Sequence, residues 1–296
     1  MRRLLILAMV LVAGCASQPA AAASLPPSPT VTPSPTPSPT PKLGLYFYDM
    51  TAELQMGWPY DTNGIMVTPE RQYNTVTIEQ DALAYFALWQ TTGSWSNRTT
   101  FLHYADWLLA NQSPNGLWLY NYEFWTMAVP WHSAMAEGQG MSVLVRAWQA
   151  TGEQRYLTAA TAAMRTFEKP YAQDGVASYE GADTFYEEYD PTVKPHVLNG
   201  FIFALVGLYE YHAVQGDAES GRLFDAGTAT LARDLPRWDS GSGTYYSLAL
   251  PLQPAVGLYP AIHVAELQEM WLLTGNATFR TYAARWAGYL APPASS

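Results

Sequence analysis

Between residues 75 and 290 apolar side chains recur every three or four positions, in blocks separated by glycine or by aromatic, turn-rich stretches. Residues 78–89 run into Thr91-Thr92-Gly93 and are followed by 99–111; 135–150 run into Thr151-Gly152 and are followed by 155–168. The pattern recurs in 198–214, which end in Gln215-Gly216-Asp217 before 220–235, and in 261–273, which end in Thr274-Gly275 before 278–290. Each pair has an apolar first helix, a glycine stop and a second helix within a few residues, which predicts four αα-hairpins. The aromatic and Gly-rich stretches 115–127, 175–189 and 241–250 predict short strands or loops, too few for a large sheet. Hairpins recurring at roughly 60 residues with long connections predict a mainly α fold, an incomplete (α/α) barrel or toroid of about four hairpins with short β segments at the cleft. A solenoid of helix pairs is the competing arrangement. In the toroid the long connections gather at one mouth, where chemistry is expected.

The blocks begin only after a different kind of sequence. Met1-Arg2-Arg3 and the apolar run 4–13 have the basic start and short apolar stretch of a secretory signal, shorter than the roughly 20 residues a membrane span needs. Val12-Ala13-Gly14-Cys15 resembles the lipobox of bacterial lipoproteins, which implies a signal peptide at 1–14 and lipidation of Cys15. Cys15 is the only cysteine, so an intramolecular disulfide or a thiol nucleophile in the globular part is excluded. Residues 19–41 are almost wholly Pro, Ser, Thr and Ala, a composition that favours extended segments and cannot bury a core. They predict a spacer, so that 15–42 are lipidated cysteine and linker and 43–296 one catalytic domain. The expected location is extracytoplasmic, held at a lipid membrane by the anchor. Of the 296 residues 49% are apolar and 14% aromatic, enough for both a core and a sugar-binding cleft. The net charge of -10 argues against a nucleic-acid partner.

Three polar clusters fall in the connections. Thr184-Phe185-Tyr186-Glu187-Glu188-Tyr189-Asp190-Pro191 sets two adjacent carboxylates between tyrosines. In a strand Glu187 and Glu188 point to opposite faces, so only one can serve a given cleft directly. A carboxyl packed among aromatic rings has a raised pKa and can exchange protons near neutral pH. The second cluster, Arg237 through Tyr246, carries Gly-Ser-Gly but no following Lys-Ser/Thr, so it is not a phosphate loop. The third, Tyr259-Pro260-Ala261-Ile262-His263-Val264-Ala265-Glu266, sets His263 and Glu266 one turn apart without a third ligand, so no metal site is assigned. His132, His196 and His263 all lie near expected cleft loops, and no G-x-S-x-G elbow occurs. These residues alone describe a helical domain with an aromatic cleft, at least one carboxylate and several tyrosines, suited to glycans.

The same segments resemble the C-terminal domain of the D-glucuronyl C5-epimerases. The resemblance is carried by WHSAMAEGQGMSVLVRAW from Trp131, YEEYDPT from Tyr186, VLNGFIFALVGLYEY from Val197, LPRWDSGSGTYY from Leu235 and YPAIHVAELQEMWLLTG from Tyr259, with weaker similarity from Tyr104 to Trp118. It implies an (α/α) fold, conversion of D-glucuronate to L-iduronate within a heparosan-like polysaccharide, and no cofactor. It implies Glu188, Tyr246 and Tyr259 as catalytic residues, and Tyr189, Trp131, Gln139, Glu187, Asn199 and His263 as substrate-binding ones. The sequence departs from the family where eukaryotic members have an Arg three residues after the tyrosine matched by Tyr246; here that position is Ala249. Glu137 stands for the usual Gln, and the segment before Tyr259 is shortened. The expected partner is a uronate polysaccharide, and a homodimer is compatible with the sequence. Two other readings stand beside the epimerase: a polysaccharide lyase or glycoside hydrolase, in which Glu137 could partner Glu188, and a non-catalytic surface glycan-binding lipoprotein.

Overall fold

The computed structural model of the protein describes residues 41–125, 127–190, 192 and 195–290. The expected signal peptide at 1–14, the lipidation site Cys15 and nearly all of the linker lie outside the described residues. The described residues belong to one compact unit.

The hairpins are α1 (Thr75–Thr92) with α2 (Trp95–Asn111), α3 (Ala134–Thr151) with α4 (Gln154–Met164), α5 (Leu198–Gln215) with α6 (Ala218–Trp238), and α7 (Tyr259–Thr274) with α8 (Ala277–Leu290). Each first helix ends on a glycine in the left-handed region, Gly93, Gly152, Gly216 and Gly275, where a residue without Cβ stops the helix cheaply. Side-chain caps start several helices: Asn74 accepts from Thr77 N, Ser94 from Asn97 N, and Asp217 from Ser220 N. The cap at Ser94 starts α2 four residues before the apolar periodicity becomes visible at residue 99. The α6 helix runs through Pro236 to Trp238, beyond the expected stop at 235, because Trp238 is buried and its indole donates to the His196 carbonyl at 3.0 Å.

α1 packs on α3, α3 on α5 and α5 on α7, while α2, α4, α6 and α8 each cover their own partner. α3 and α5 are the middle of this row and are buried over nearly every residue of their first three turns. Their axes approach closely because glycines face each other: a Cβ on Gly207 would stand 2.1 Å from the Gly138 carbonyl oxygen. The same pair is tied by Arg146 and Glu210, whose buried side chains form two hydrogen bonds of 2.6 and 2.7 Å. All four odd-numbered helices line one cavity, which identifies the row as a curved, incomplete (α/α) toroid. Between α7 and α1 the N-terminal stretch supplies the wall, with the 3-10 turn Met50–Gln55 packed against α1.

The expected β segments are two small antiparallel hairpins at the mouth. β1 (Ala177–Glu180) pairs with β2 (Asp183–Tyr186), and β3 (Tyr245–Ser247) pairs with β4 (Gln253–Pro254). Among the described residues of the stretch 115–127 the one β feature is an isolated bridge from Tyr120 to Trp131. Among the described residues no helix is long and apolar enough to cross a membrane.

Candidate active site

The β1–β2 hairpin delivers Glu187 and Glu188 to the mouth. Beyond the hairpin the Glu187 backbone donates to the Val176 carbonyl at 2.8 Å and accepts from Ala134 N, also at 2.8 Å, which pins this point between strand and helix. The extended backbone then sends the two carboxyls opposite ways. Glu188 lines a cavity of about 580 Å³, together with Tyr189, Trp131, Asn199 and Tyr259. Glu187 is wholly buried on the other side, hydrogen-bonded by Ser178 and 2.7 Å from His196 Nδ1. It therefore holds the loop and does not touch the cavity.

Glu188 rests on the backbone of α5. A Cβ on Gly200 would stand 2.3 Å from Glu188 Oε2, so only glycine at that point admits the carboxyl. Burial pushes the acid up to about 7, with a hydrogen bond from Tyr189 acting in the opposite direction. The Tyr189 and Tyr246 hydroxyls are 3.4 Å apart, and the Tyr246 and Tyr259 rings meet edge to face at 4.8 Å. Burial, then the Glu188 charge, raise the phenols of Tyr189, Tyr246 and Tyr259, so all three are O–H donors at neutral pH. A carboxyl poised near neutrality thus stands at one end of a row of three phenols. Strand β3 brings Tyr246 and the first turn of α7 brings Tyr259.

His263 braces this arrangement from behind. Its Nδ1 lies 2.9 Å from the Thr244 hydroxyl at the base of β3, and burial drives its pKa down to about 3, so the ring is neutral. It lies behind the cavity wall and outside the lining. Gln139 is also buried away from the cavity, beside Tyr46. Trp131 and Asn199 do line it: Trp131 is stacked on Tyr120 at 3.9 Å, and buried Asn199 has an unpartnered Oδ1 in the first turn of α5. Glu187, Gln139 and His263 are thus corrected from substrate contacts to supports, since each faces protein on the far side of the wall. Among the described residues no group of three His, Cys, Asp or Glu is arranged to hold a metal ion.

Two further corrections concern departures from the family pattern. Glu137 does not reach the cavity; its Oε1 accepts from Trp118 N at 2.9 Å, and burial holds both it and neighbouring Glu79 well above the usual carboxylate range. It therefore cannot be the partner of Glu188 across a bond. Ala249 lines a separate hollow beside Arg237 and His196. The carboxyl that does share the cavity is Glu53, on the 3-10 turn, its pKa raised by burial. Sequence reading missed Glu53 and Trp58 because residues 43–74 have no helical period. It also missed Ser133, whose position at a helix start reads as a cap; its buried hydroxyl instead lines the cavity without a partner.

The profile of the family described as D-glucuronyl C5-epimerase C-terminus matches residues 112–288, which include every residue of the carboxyl–phenol row. The chain belongs to this family. It is 35% identical to the D-glucuronyl C5-epimerase of Caenorhabditis elegans in an alignment of 208 residues that covers 62% of this chain and 34% of that protein. The chain thus spans about a third of the length of that relative. Among solved structures it is similar to a UGL variant with dGlcA-Glc-Rha-Glc, with a TM-score of 0.52 and 16% identity over 71% of this chain and 60% of that one. It is also similar to a polysaccharide lyase, with a TM-score of 0.50 and 14% identity over 84% and 67%. At these identities the two structures bear on the fold, which they share.

Proposed function

We propose that the protein is a uronate C5-epimerase that converts D-glucuronate to L-iduronate residues inside a heparosan-like polysaccharide. The observation that carries this reading is the row Glu188–Tyr189–Tyr246–Tyr259, in which Glu188, Tyr189 and Tyr259 line the cavity and Tyr246 touches both tyrosines without lining it, in a chain of the epimerase family. The ionised Glu188 carboxylate removes the C5 proton; the C5–H electron pair moves into the adjacent carboxyl group as an enediolate. A phenol, Tyr246 or Tyr259, delivers a proton to the opposite face of C5, forming the new C–H bond and leaving a phenolate. The proton now on Glu188 passes along the phenols to that phenolate, so the site returns to its starting state with no co-reactant. The phenols carry their protons at neutral pH, as the acid role requires, and a carboxyl near pH 7 suits the base role. The buried Ser133 hydroxyl and the phenols supply neutral donors for the enediolate.

A second reading, glycoside hydrolysis, is favoured by one observation: Glu53 and Glu188 line the same cavity, and hydrolysis needs two carboxyls. Incubation with heparosan in deuterated water, followed by NMR of the C5 position, separates the readings. Deuterium entering intact chains, and lost in Tyr246→Phe or Tyr259→Phe, is the expected result. Shortened chains whose formation needs Glu53 establish the hydrolase, and unsaturated ends a lyase. Saturable binding with neither exchange nor cleavage overturns an enzymatic role. The lipid anchor, extracytoplasmic location and homodimer belong to the same proposal; metabolic labelling with a fatty acid, lost in Cys15→Ser, tests the anchor.

A further inference from the structure

An aromatic feature that proton transfer does not use adjoins two residues of the cavity lining, Tyr189 and Trp131. Trp125 is 64% exposed, an unusual setting for a large apolar ring, yet its backbone is held at φ 50°, a region that side-chain-bearing residues seldom adopt. In an extended segment consecutive side chains point to opposite faces. The left-handed turn removes that alternation and lays Trp125 on its neighbour Phe124, the ring centroids 4.9 Å apart and the planes within 19°. The pair continues inward: Trp125 meets Tyr189 at 5.2 Å, and Phe124 meets Trp131 at 5.8 Å. A continuous aromatic surface therefore runs from an exposed indole to the phenol that contacts Glu188. Among the described residues lining the cavity none is Lys or Arg, so no ion pair from these residues is available to hold a polyanion.

We infer that Trp125, backed by Phe124, is a stacking subsite for a pyranose ring of the polymer next to the sugar that reacts. The inference rests on the reading of the cavity as a uronan site and deepens it. The indole offers a flat apolar face to the C–H face of a sugar, and its position beyond Tyr189 matches a neighbouring residue of the same chain. Such a contact contributes to holding the polymer and nothing to the chemical step. It is also insensitive to salt, unlike charge-mediated recognition.

The test is C5 deuterium exchange by the wild type, Trp125→Ala and Trp125→Tyr on heparosan polymer and on the shortest oligosaccharide that exchanges, at low and high salt. Trp125→Ala is expected to raise the polymer KM about tenfold with kcat unchanged, to leave the short substrate unaffected, and to be largely rescued by Trp125→Tyr. Salt is expected to change the wild-type KM little. A fall in kcat or melting temperature affecting both substrates equally, or no effect at all, overturns the subsite. Should the wild type exchange no substrate, the epimerase reading fails separately. Retardation on heparosan affinity gels then decides the subsite: binding weakened in Trp125→Ala sustains it, and equal or absent binding overturns it.

Discussion

Glu188→Gln is expected to abolish proton transfer while making the protein more stable at neutral and alkaline pH. The carboxyl is buried, its pKa is pushed from 4.5 to about 7, and its Oε2 has no hydrogen-bond partner. A carboxyl whose folded pKa is raised destabilises the folded state as pH rises: from about 4.5 the unfolded chain loses the proton while the folded one retains it. The loss accumulates up to about pH 7 and is constant above that. A displacement from 4.5 to about 7 corresponds to about 3 kcal/mol. Gln keeps the shape and an acceptor for Tyr189 without the charge. For a domain of this size 1 kcal/mol moves the melting temperature by roughly 2–4 °C, so the variant should melt about 6–12 °C above the wild type at pH 8. The two should converge below about pH 4.5. The measurement is a set of thermal or urea melts from pH 4 to 9, read as the difference between the two proteins, so that other buried acids cancel. A difference independent of pH would refute the argument, because it would mean that Glu188 titrates at the same pH in the folded and the unfolded chain.

Gly200→Ala places a methyl 2.3 Å from Glu188 Oε2 and must displace it; with a misplacement near 1 Å, exchange should fall about a hundredfold in a protein that still gives a cooperative melt. Arg146→Ala leaves Glu210 buried without its partner and should destabilise the fold by about 3–5 kcal/mol, whereas replacing both by apolar residues should recover most of the loss in the same urea titration. Glu137→Gln keeps the acceptor for Trp118 N and removes one of two crowded buried carboxyls; its stability margin over the wild type should grow as pH rises from about 4.5, with exchange activity unchanged.

The four hairpins were legible because their information is local. Apolar spacing and the stops at Gly93, Gly152, Gly216 and Gly275 act within single helices, and the structure uses those glycines as expected. Helix starts were less legible: the Ser94 cap sits in a polar stretch that dilutes the period. At the site, alternation correctly implied that only one of Glu187 and Glu188 could face the cleft, but the choice of Glu188 came from the family motif. The geometric reason for that choice, the space over Gly200, joins residues on different elements. The same holds for Glu53, which reaches the cavity because the N-terminal stretch walls the gap between α7 and α1. Gln139 and His263 lie within matching motifs yet face protein; a motif records proximity to a site, whereas the helical turn decides which side chain enters it.

The absence of Lys and Arg among the described lining residues sets kcat and KM against each other as pH rises. Glu188 must lose its proton to act as the base, so kcat/KM, which follows the free site, should increase with pH up to about 7 and level off. In the complex the same ionisation puts a negative charge beside a substrate that carries its own carboxylate. At an effective dielectric constant near 20, two charges about 6 Å apart repel by about 3 kcal/mol, which moves the ionisation of Glu188 in the complex, and with it the rise of kcat, upward by about two pH units. KM should therefore climb by up to about a hundredfold above pH 7 while kcat/KM stays level, whereas a site with a fixed cation would show KM constant and kcat rising in step with kcat/KM. Initial exchange rates at saturating and limiting polymer from pH 5 to 9 distinguish the two. A constant KM would mean that a positive group outside the described lining neutralises the uronate, and the neutral-donor account of this cavity would be wrong.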